Sequence, residues 1–220
     1  SELRSTDTLR ISSAFSHLAT ADCFDMDDYT LMQLRLFDEY VGYLRENINY
    51  RFNTHILNTA GILRYPGYQH EMVRLGIGLY GYPVLNDGSE KELKPVASLY
   101  STVISVSKRH EGDTIGYGRK GHISGEREIA TVPVGYADGI DRHLGNGNTS
   151  FIVNGHRCRT VGNICMDICM IDVTGAGCKV GDRVEIFGPT VSVCELADTL
   201  STIPYEIIVS ISERVKRVYY

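Results

Sequence analysis

The hydrophobic pattern changes character once along this chain, and that change limits what it can fold into. Up to about Tyr82, short β-branched or apolar runs alternate with helical spacing, as in βα units. From Asp28 to Ile48 apolar residues recur at Leu31, Leu34, Phe37, Val41, Leu44 and Ile48, which puts them on one face of an amphipathic helix. Asp27 or Asp28 is the expected cap. Strands are expected near Ile11–Ser16, Thr54–Leu57 and Met72–Leu75. Beyond the polar stretch Asn86–Glu92 the pattern becomes short strands between glycine turns, which places a domain boundary near residues 83 to 95.

In the second part Ser98–Ser107, Glu128–Val134, Ser150–Val153, Cys169–Val173 and Arg183–Phe187 are rich in Val, Ile, Thr and aromatics. Asn154-Gly155 is a strong hairpin signal, and Asp138-Gly139 and Gly181-Asp182 punctuate the chain similarly. Val193–Leu200 and Tyr205–Ser212 read as helices. The second domain is therefore mostly β.

Composition excludes more than it identifies. With 43% hydrophobic and 22% charged residues and no apolar run near the ~20 residues of a membrane span, a soluble globular protein with no membrane role is expected. No signal peptide is visible. A net charge of −5 argues against nucleic-acid binding, and Lys108-Arg109-His110 reads as a solvated face. The six cysteines include no Cys-x-x-Cys pair; reduced, buried thiols in the cytoplasm are expected, with no metal. The opening Ser-Glu-Leu-Arg-Ser-Thr-Asp reads as a cut point inside a longer protein.

Five motifs carry chemistry, the first of them in two parts. Asp113-Thr-Ile-Gly-Tyr-Gly-Arg119 is followed by Pro133-Val-Gly-Tyr-Ala-Asp-Gly139. The others are Phe15-Ser-His-Leu-Ala-Thr-Ala-Asp22, His55-Ile-Leu-Asn-Thr-Ala-Gly61, Met72-Val-Arg-Leu-Gly-Ile-Gly-Leu-Tyr-Gly81 and Gly162-Asn-Ile-Cys-Met-Asp-Ile-Cys-Met170. In their order along the chain they resemble the bacterial alanine racemases, from about Ser13 to Tyr220. The resemblance implies part of a parallel α/β barrel of the TIM type over residues 1–85, then a mostly antiparallel β-domain over 92–220. About three βα units of eight would be present, leaving a raw sheet edge. It further implies pyridoxal 5'-phosphate (PLP) as cofactor, alanine as substrate, a homodimer, a cytoplasmic place and a role in supplying D-alanine for the cell wall. Fusion behind a cell-wall peptide ligase is compatible with it.

Racemisation removes an unacidic α-proton and returns it on the opposite face, so a group is needed on each face beside an electron sink. In the family these groups are the PLP lysine and a tyrosine of the partner subunit's β-domain, which Tyr117 matches. For an arbitrary tyrosine among the fourteen, ring packing at a strand end is the default; the flanking glycines and the other motifs set Tyr117 apart. Bringing a phenol from a pKa of ~10 to ~7 takes about 4 kcal/mol, so a cationic neighbour is expected. His17 and Arg74 match the family's histidine beside the tyrosine and the arginine beyond it, which faces the PLP ring nitrogen. Arg74 also interrupts an apolar run, where a charge is normally excluded.

By the same resemblance the Thr59 hydroxyl and the amides of Gly76 and Ile77 match the phosphate site. The Met166 amide matches a contact to the substrate carboxylate, Asp167 steadies its loop, and Tyr136 forms a wall of the access channel. Glu213 stands where some members carry a phosphate-binding tyrosine, so that contact is not expected here. Lys91, Lys94, Lys108, Lys120, Lys179 and Lys216 all lack the family's PLP-lysine motif, and this chain alone is expected to be inactive. Serine or broad specificity stays open, as do a PLP-dependent decarboxylase of the same architecture and a non-catalytic PLP-binding or interaction module.

Overall fold

A computed structural model describes residues 8–85 and 93–219; the polar stretch 86–92 and the opening residues lie outside them. The chain divides into two compact units, Ser1–Lys94 and Pro95–Tyr220.

In the first unit, strand β1 (Ser13–Phe15) leads through helix α1 (Asp27–Asn47) to strand β2 (Asn53–His55), and a short helix α2 (Thr59–Arg64) follows. The strands pair in parallel, Ser13 beside Asn53 and Phe15 beside His55, so α1 is a βαβ crossover. Its face of Leu34, Phe37 and Val41 packs with Leu18, Ile56, Leu57 and Leu85. The expected aspartate cap is not used as a cap. Met26 holds the cap position without a side-chain bond, while Asp27 accepts from Arg64 Nη2 at 2.5 Å and from the Tyr65 hydroxyl at 2.9 Å. A carboxylate at the helix start is worth more to a guanidinium from α2 than to its own backbone, because the ion pair ties two elements together.

Met72–Leu75 forms no strand. Arg74 N donates to the Leu57 carbonyl, but its guanidinium takes the carbonyls of Ser16, His55 and Ile56, at or just past the ends of β1 and β2. Side-chain donors there replace those of a third strand. Two parallel strands are thus paired rather than three, and the unit is a partial α/β region.

The second unit is antiparallel throughout. Its strands are β3 (Leu99–Thr102), β4 (Ser105–Arg109), β5 (Thr114–Ile115), β6 (Gly121–His122), β7 (Arg127–Val132), β8 (Ser150–Val153), β9 (His156–Arg159), β10 (Cys169–Asp172) and β11 (Arg183–Phe187). They form sheets β3-β11-β8-β9, β10-β7-β4 and β5-β6. The apolar run 98–107, expected as one strand, is split between the two larger sheets. Val103 N bonds Asp182 O of one side, and Ile104 N bonds Thr131 O of the other. Val103 is fully buried at this corner, where a strand that changes sheets joins the two layers into one core. Phe151, Val153, Ile171, Val184 and Ile186 fill that core.

Asn154 and Gly155 take φ of 50° and 80°, the left-handed pair that a two-residue turn between β8 and β9 requires. Helix α3 (Val193–Leu200) begins where the Ser192 hydroxyl accepts from Cys194 N, and α4 (Pro204–Ser210) starts on a proline whose missing N–H would have had no partner. All six cysteines are free, but only Cys158 and Cys169 are buried; burial pushes their thiols up to about 11 and about 12. Cys23 is exposed, correcting the expectation of uniformly buried thiols. Among the described residues no helix is long and apolar enough to cross a membrane.

Candidate functional site

Arg74 is the centre of the first unit's polar cluster. Its Nη1 donates to His55 Nδ1 at 2.5 Å, and its Nη2 donates to Ser16 O at 2.7 Å, Ile56 O at 3.1 Å and His17 Nδ1 at 3.1 Å. Every one of these acceptors is neutral, and burial lowers the guanidinium's pKa without removing its charge. An imidazole nitrogen that accepts from arginine carries a lone pair, so His55 is set in the neutral form protonated on Nε2. Burial first, and then the neighbouring guanidinium, hold His55 below its ordinary pKa. Among the described residues, Arg74 Nε–H meets no acceptor.

Beside this cluster Thr59, the first residue of α2, accepts from Gly76 N at 3.0 Å through its hydroxyl. Asn58 precedes it and caps the helix by accepting from Gly61 N at 2.9 Å. A Cβ on Gly78 would lie 2.8 Å from Thr59 Cγ2, so position 78 comes this close to Thr59 as a glycine. Ile77 begins a 3-10 turn, Ile77–Tyr80, and is buried. The structure thus brings together His17, Arg74, Thr59, Gly76 and Ile77 within one unit.

In the second unit Tyr117 sits in the connection between β5 and β6, flanked by Gly116 and Gly118 at φ of 73° and 67°. Its ring is 76% exposed. Its carbonyl accepts from Asn163 Nδ2 at 3.0 Å. Tyr136 starts the 3-10 turn Tyr136–Asp138, and the 135–137 backbone lies against 165–166, with Tyr136 N on Cys165 O and Ala137 N on Met166 O, both at 3.0 Å. A Cβ at Gly135 would fall 2.3 Å from Cys165 O, which is why glycine precedes this tyrosine. Tyr136 also borders a cleft of about 820 Å³ with Arg142, Leu144, Phe187, Leu196 and Ile207.

Arg214 fastens the two loops together, donating from Nε to Asp138 at 2.8 Å and from Nη2 to Asp167 at 2.7 Å. The carboxylates in turn hold its guanidinium well above the usual arginine range. Glu213, next to it, is exposed and makes no such contact.

Residues 96–219 match the family described as alanine racemase, C-terminal domain, and residues 1–84 match alanine racemase, N-terminal domain. The chain belongs to the alanine racemase family.

Alanine racemase of Clostridium novyi is 43% identical over 220 residues, covering 96% of this chain and 56% of that protein. That of Methanococcus maripaludis is 38% identical, covering 99% of this chain and 60% of the relative. The chain therefore spans a little over half the length of its relatives. Among solved structures, alanine racemase of Clostridium difficile 630 in complex with cycloserine superposes with a TM-score of 0.89 at 34% identity, over 97% of this chain and 57% of that one. The Bartonella henselae enzyme with covalently bound pyridoxal phosphate gives 0.83 at 28% identity, over 96% and 57%.

Three contributors to these clusters were not singled out from the sequence. His55 opens one of the family motifs, yet its approach to Arg74 depends on β1 and β2 pairing. Asn163 and Arg214 act on residues 46 and 76 positions away, and nothing local marks them.

Proposed function

We propose that this chain supplies the cofactor-ring arginine, the phosphate seat and one of the two proton-transfer groups of a PLP-dependent alanine racemase, interconverting L- and D-alanine for peptidoglycan synthesis. The observation that carries the reading is Arg74: a guanidinium bonded only to neutral acceptors, with Nε–H left to donate. That is the arrangement that suits an unprotonated pyridine nitrogen. An arginine hardly gives up its proton, so the nitrogen it faces stays unprotonated.

The remaining residues fit the group as well. The Thr59 hydroxyl already accepts from Gly76 N, which leaves its own O–H to donate to a phosphate oxygen alongside the amides of Gly76 and Ile77. When bound, PLP supplies the electron sink that makes the α-proton removable. In the dimeric enzyme Tyr117 takes or returns that proton on one face, and a lysine in the family's earlier segment serves the other. His17, in hydrogen-bond contact with Arg74 through Nδ1, would serve as the partner of the phenolic oxygen across the dimer and stabilise its charge. The Met166 amide meets the substrate carboxylate, and Tyr136 walls its approach.

Tyr117→Phe in the complete enzyme removes only the hydroxyl. Racemisation in both directions should fall by roughly 10²–10⁴ while PLP remains bound, the usual loss when a general acid–base group is deleted. Rates within a few-fold of wild type would remove Tyr117 from the mechanism. Release of carbon dioxide in place of racemisation would move the reading to a decarboxylase.

A further inference from the structure

Tyr117 owes its position to very little. Its ring is 76% exposed, and among the described residues its hydroxyl has no partner. The glycines on either side, at φ of 73° and 67°, place few limits on the backbone. Among the described residues, two hydrogen bonds reach the connection's main chain, Arg119 N on Gly116 O at 3.1 Å and Asn163 Nδ2 on the Tyr117 carbonyl at 3.0 Å, and the Arg119 side chain adds a bond from Nε to Thr114 Oγ1 at 3.0 Å.

Asn163 is itself fixed. It is 9% exposed, and its Oδ1 accepts from Asn146 Nδ2 at 3.0 Å, which sets the amide so that Nδ2 faces Tyr117. Asn146 is anchored in turn, with φ of 57° and its N–H on Gly162 O at 2.7 Å. Asn163 also opens the segment whose next residues meet the other site loop, Cys165 O receiving Tyr136 N and Met166 O receiving Ala137 N.

We infer that Asn163 is a positioning residue: through an Asn146–Asn163–Tyr117 relay it holds the tyrosine's main chain in register with Tyr136 and Met166. A side-chain amide suits the task because it accepts from one neighbour and donates to the other. The catalytic consequence rests on the function proposed above; the positioning does not.

The test replaces Asn163 by Asp. An ionised carboxylate of the same shape still accepts from Asn146 but turns an acceptor toward the Tyr117 carbonyl. Amide hydrogen exchange is read at Arg119 and along the β7–β10 ladder, as a ratio to wild type at each pH. Losing one net hydrogen bond of about 1 kcal/mol, with added repulsion, should speed exchange at Arg119 about tenfold near neutrality, and leave the ladder unchanged. Burial and the facing carbonyl raise the introduced carboxyl above its ordinary pKa of ~3.9, and once protonated it can donate again. The ratio should therefore return toward one as the pH falls through that value. Asn146→Ala should give a smaller increase confined to the same connection. A ratio near one at neutral pH, a raised ratio that acid does not restore, or an increase shared by the ladder would each overturn the inference. In the complete enzyme Asn163→Asp should lower kcat at neutral pH with KM and PLP content little changed. If Tyr117→Phe leaves racemisation intact, the functional reading fails while the exchange result still decides this one.

Discussion

Arg74 shows how one residue can stabilise a fold and carry a site. A guanidinium among neutral acceptors costs desolvation, which carbonyls and two imidazoles offset through hydrogen bonds. Phe15 stacks on His55 at 5.2 Å, with the Arg74 guanidinium 5.4 Å from the Phe15 ring, so the cluster is layered as well as bonded. His55 must stay neutral there. In the unfolded chain it takes a proton near its ordinary value of 6.5; in the folded unit it resists, so below that value the unfolded state binds more protons. Stability is thus fully present above 6.5 and falls as the pH drops toward the lowered folded value. His55→Asn, which keeps an acceptor but does not titrate, should flatten the dependence of the urea midpoint over this range. An unchanged slope would show that His55 is not the group responsible.

Elements here are fixed by a few residues at their ends. The turn joining β8 to β9 needs two left-handed residues, and Asn154 also donates to Ala176 O at 3.3 Å and to Asp182 at 2.9 Å. Asn154→Ala should cost about 1–2 kcal/mol through left-handed strain and lost bonds, seen as a lower urea midpoint with unchanged slope. Asn154→Gly should cost less, because glycine accepts that backbone. Helix α1 has a second apolar stripe. Tyr29, Met32, Leu36, Tyr40 and Tyr43 recur every three or four residues and are all exposed, opposite the face that packs in the unit's core.

At the scale of the whole chain, that stripe and the edges of the β1-β2 pair, which no further strand joins among the described residues, leave apolar and backbone surface for another copy to cover. Sedimentation at micromolar concentration should show self-association of the 220-residue chain; a clean monomer would count against it. The same chain with added PLP should not racemise alanine, since none of its six lysines has the family's cofactor motif. Borohydride reduction followed by peptide mapping tests this. One stoichiometrically labelled lysine, with turnover that Tyr117→Phe abolishes, would make the chain active in its own right.

The sequence by itself determined those features that depend on near neighbours. Three- and four-residue spacing drew α1 to within a residue, the Asn-Gly pair drew the β8–β9 turn, and the amphipathic run 193–200 drew α3. Arg74 stood out because it interrupts an apolar run, whereas His17, Thr59 and Tyr117 were marked by the resemblance of their motifs to the family's. Tertiary structure alone decided what those residues touch. Asp27 left its own helix for Arg64, the Met72–Leu75 run gave up a strand because the Arg74 guanidinium took the carbonyls, and one apolar stretch became two strands in different sheets. His55 and Asn163 joined their clusters the same way. A hydrogen bond or ion pair forms wherever the folded chain brings donor to acceptor, and across forty or more residues no local spacing encodes that meeting.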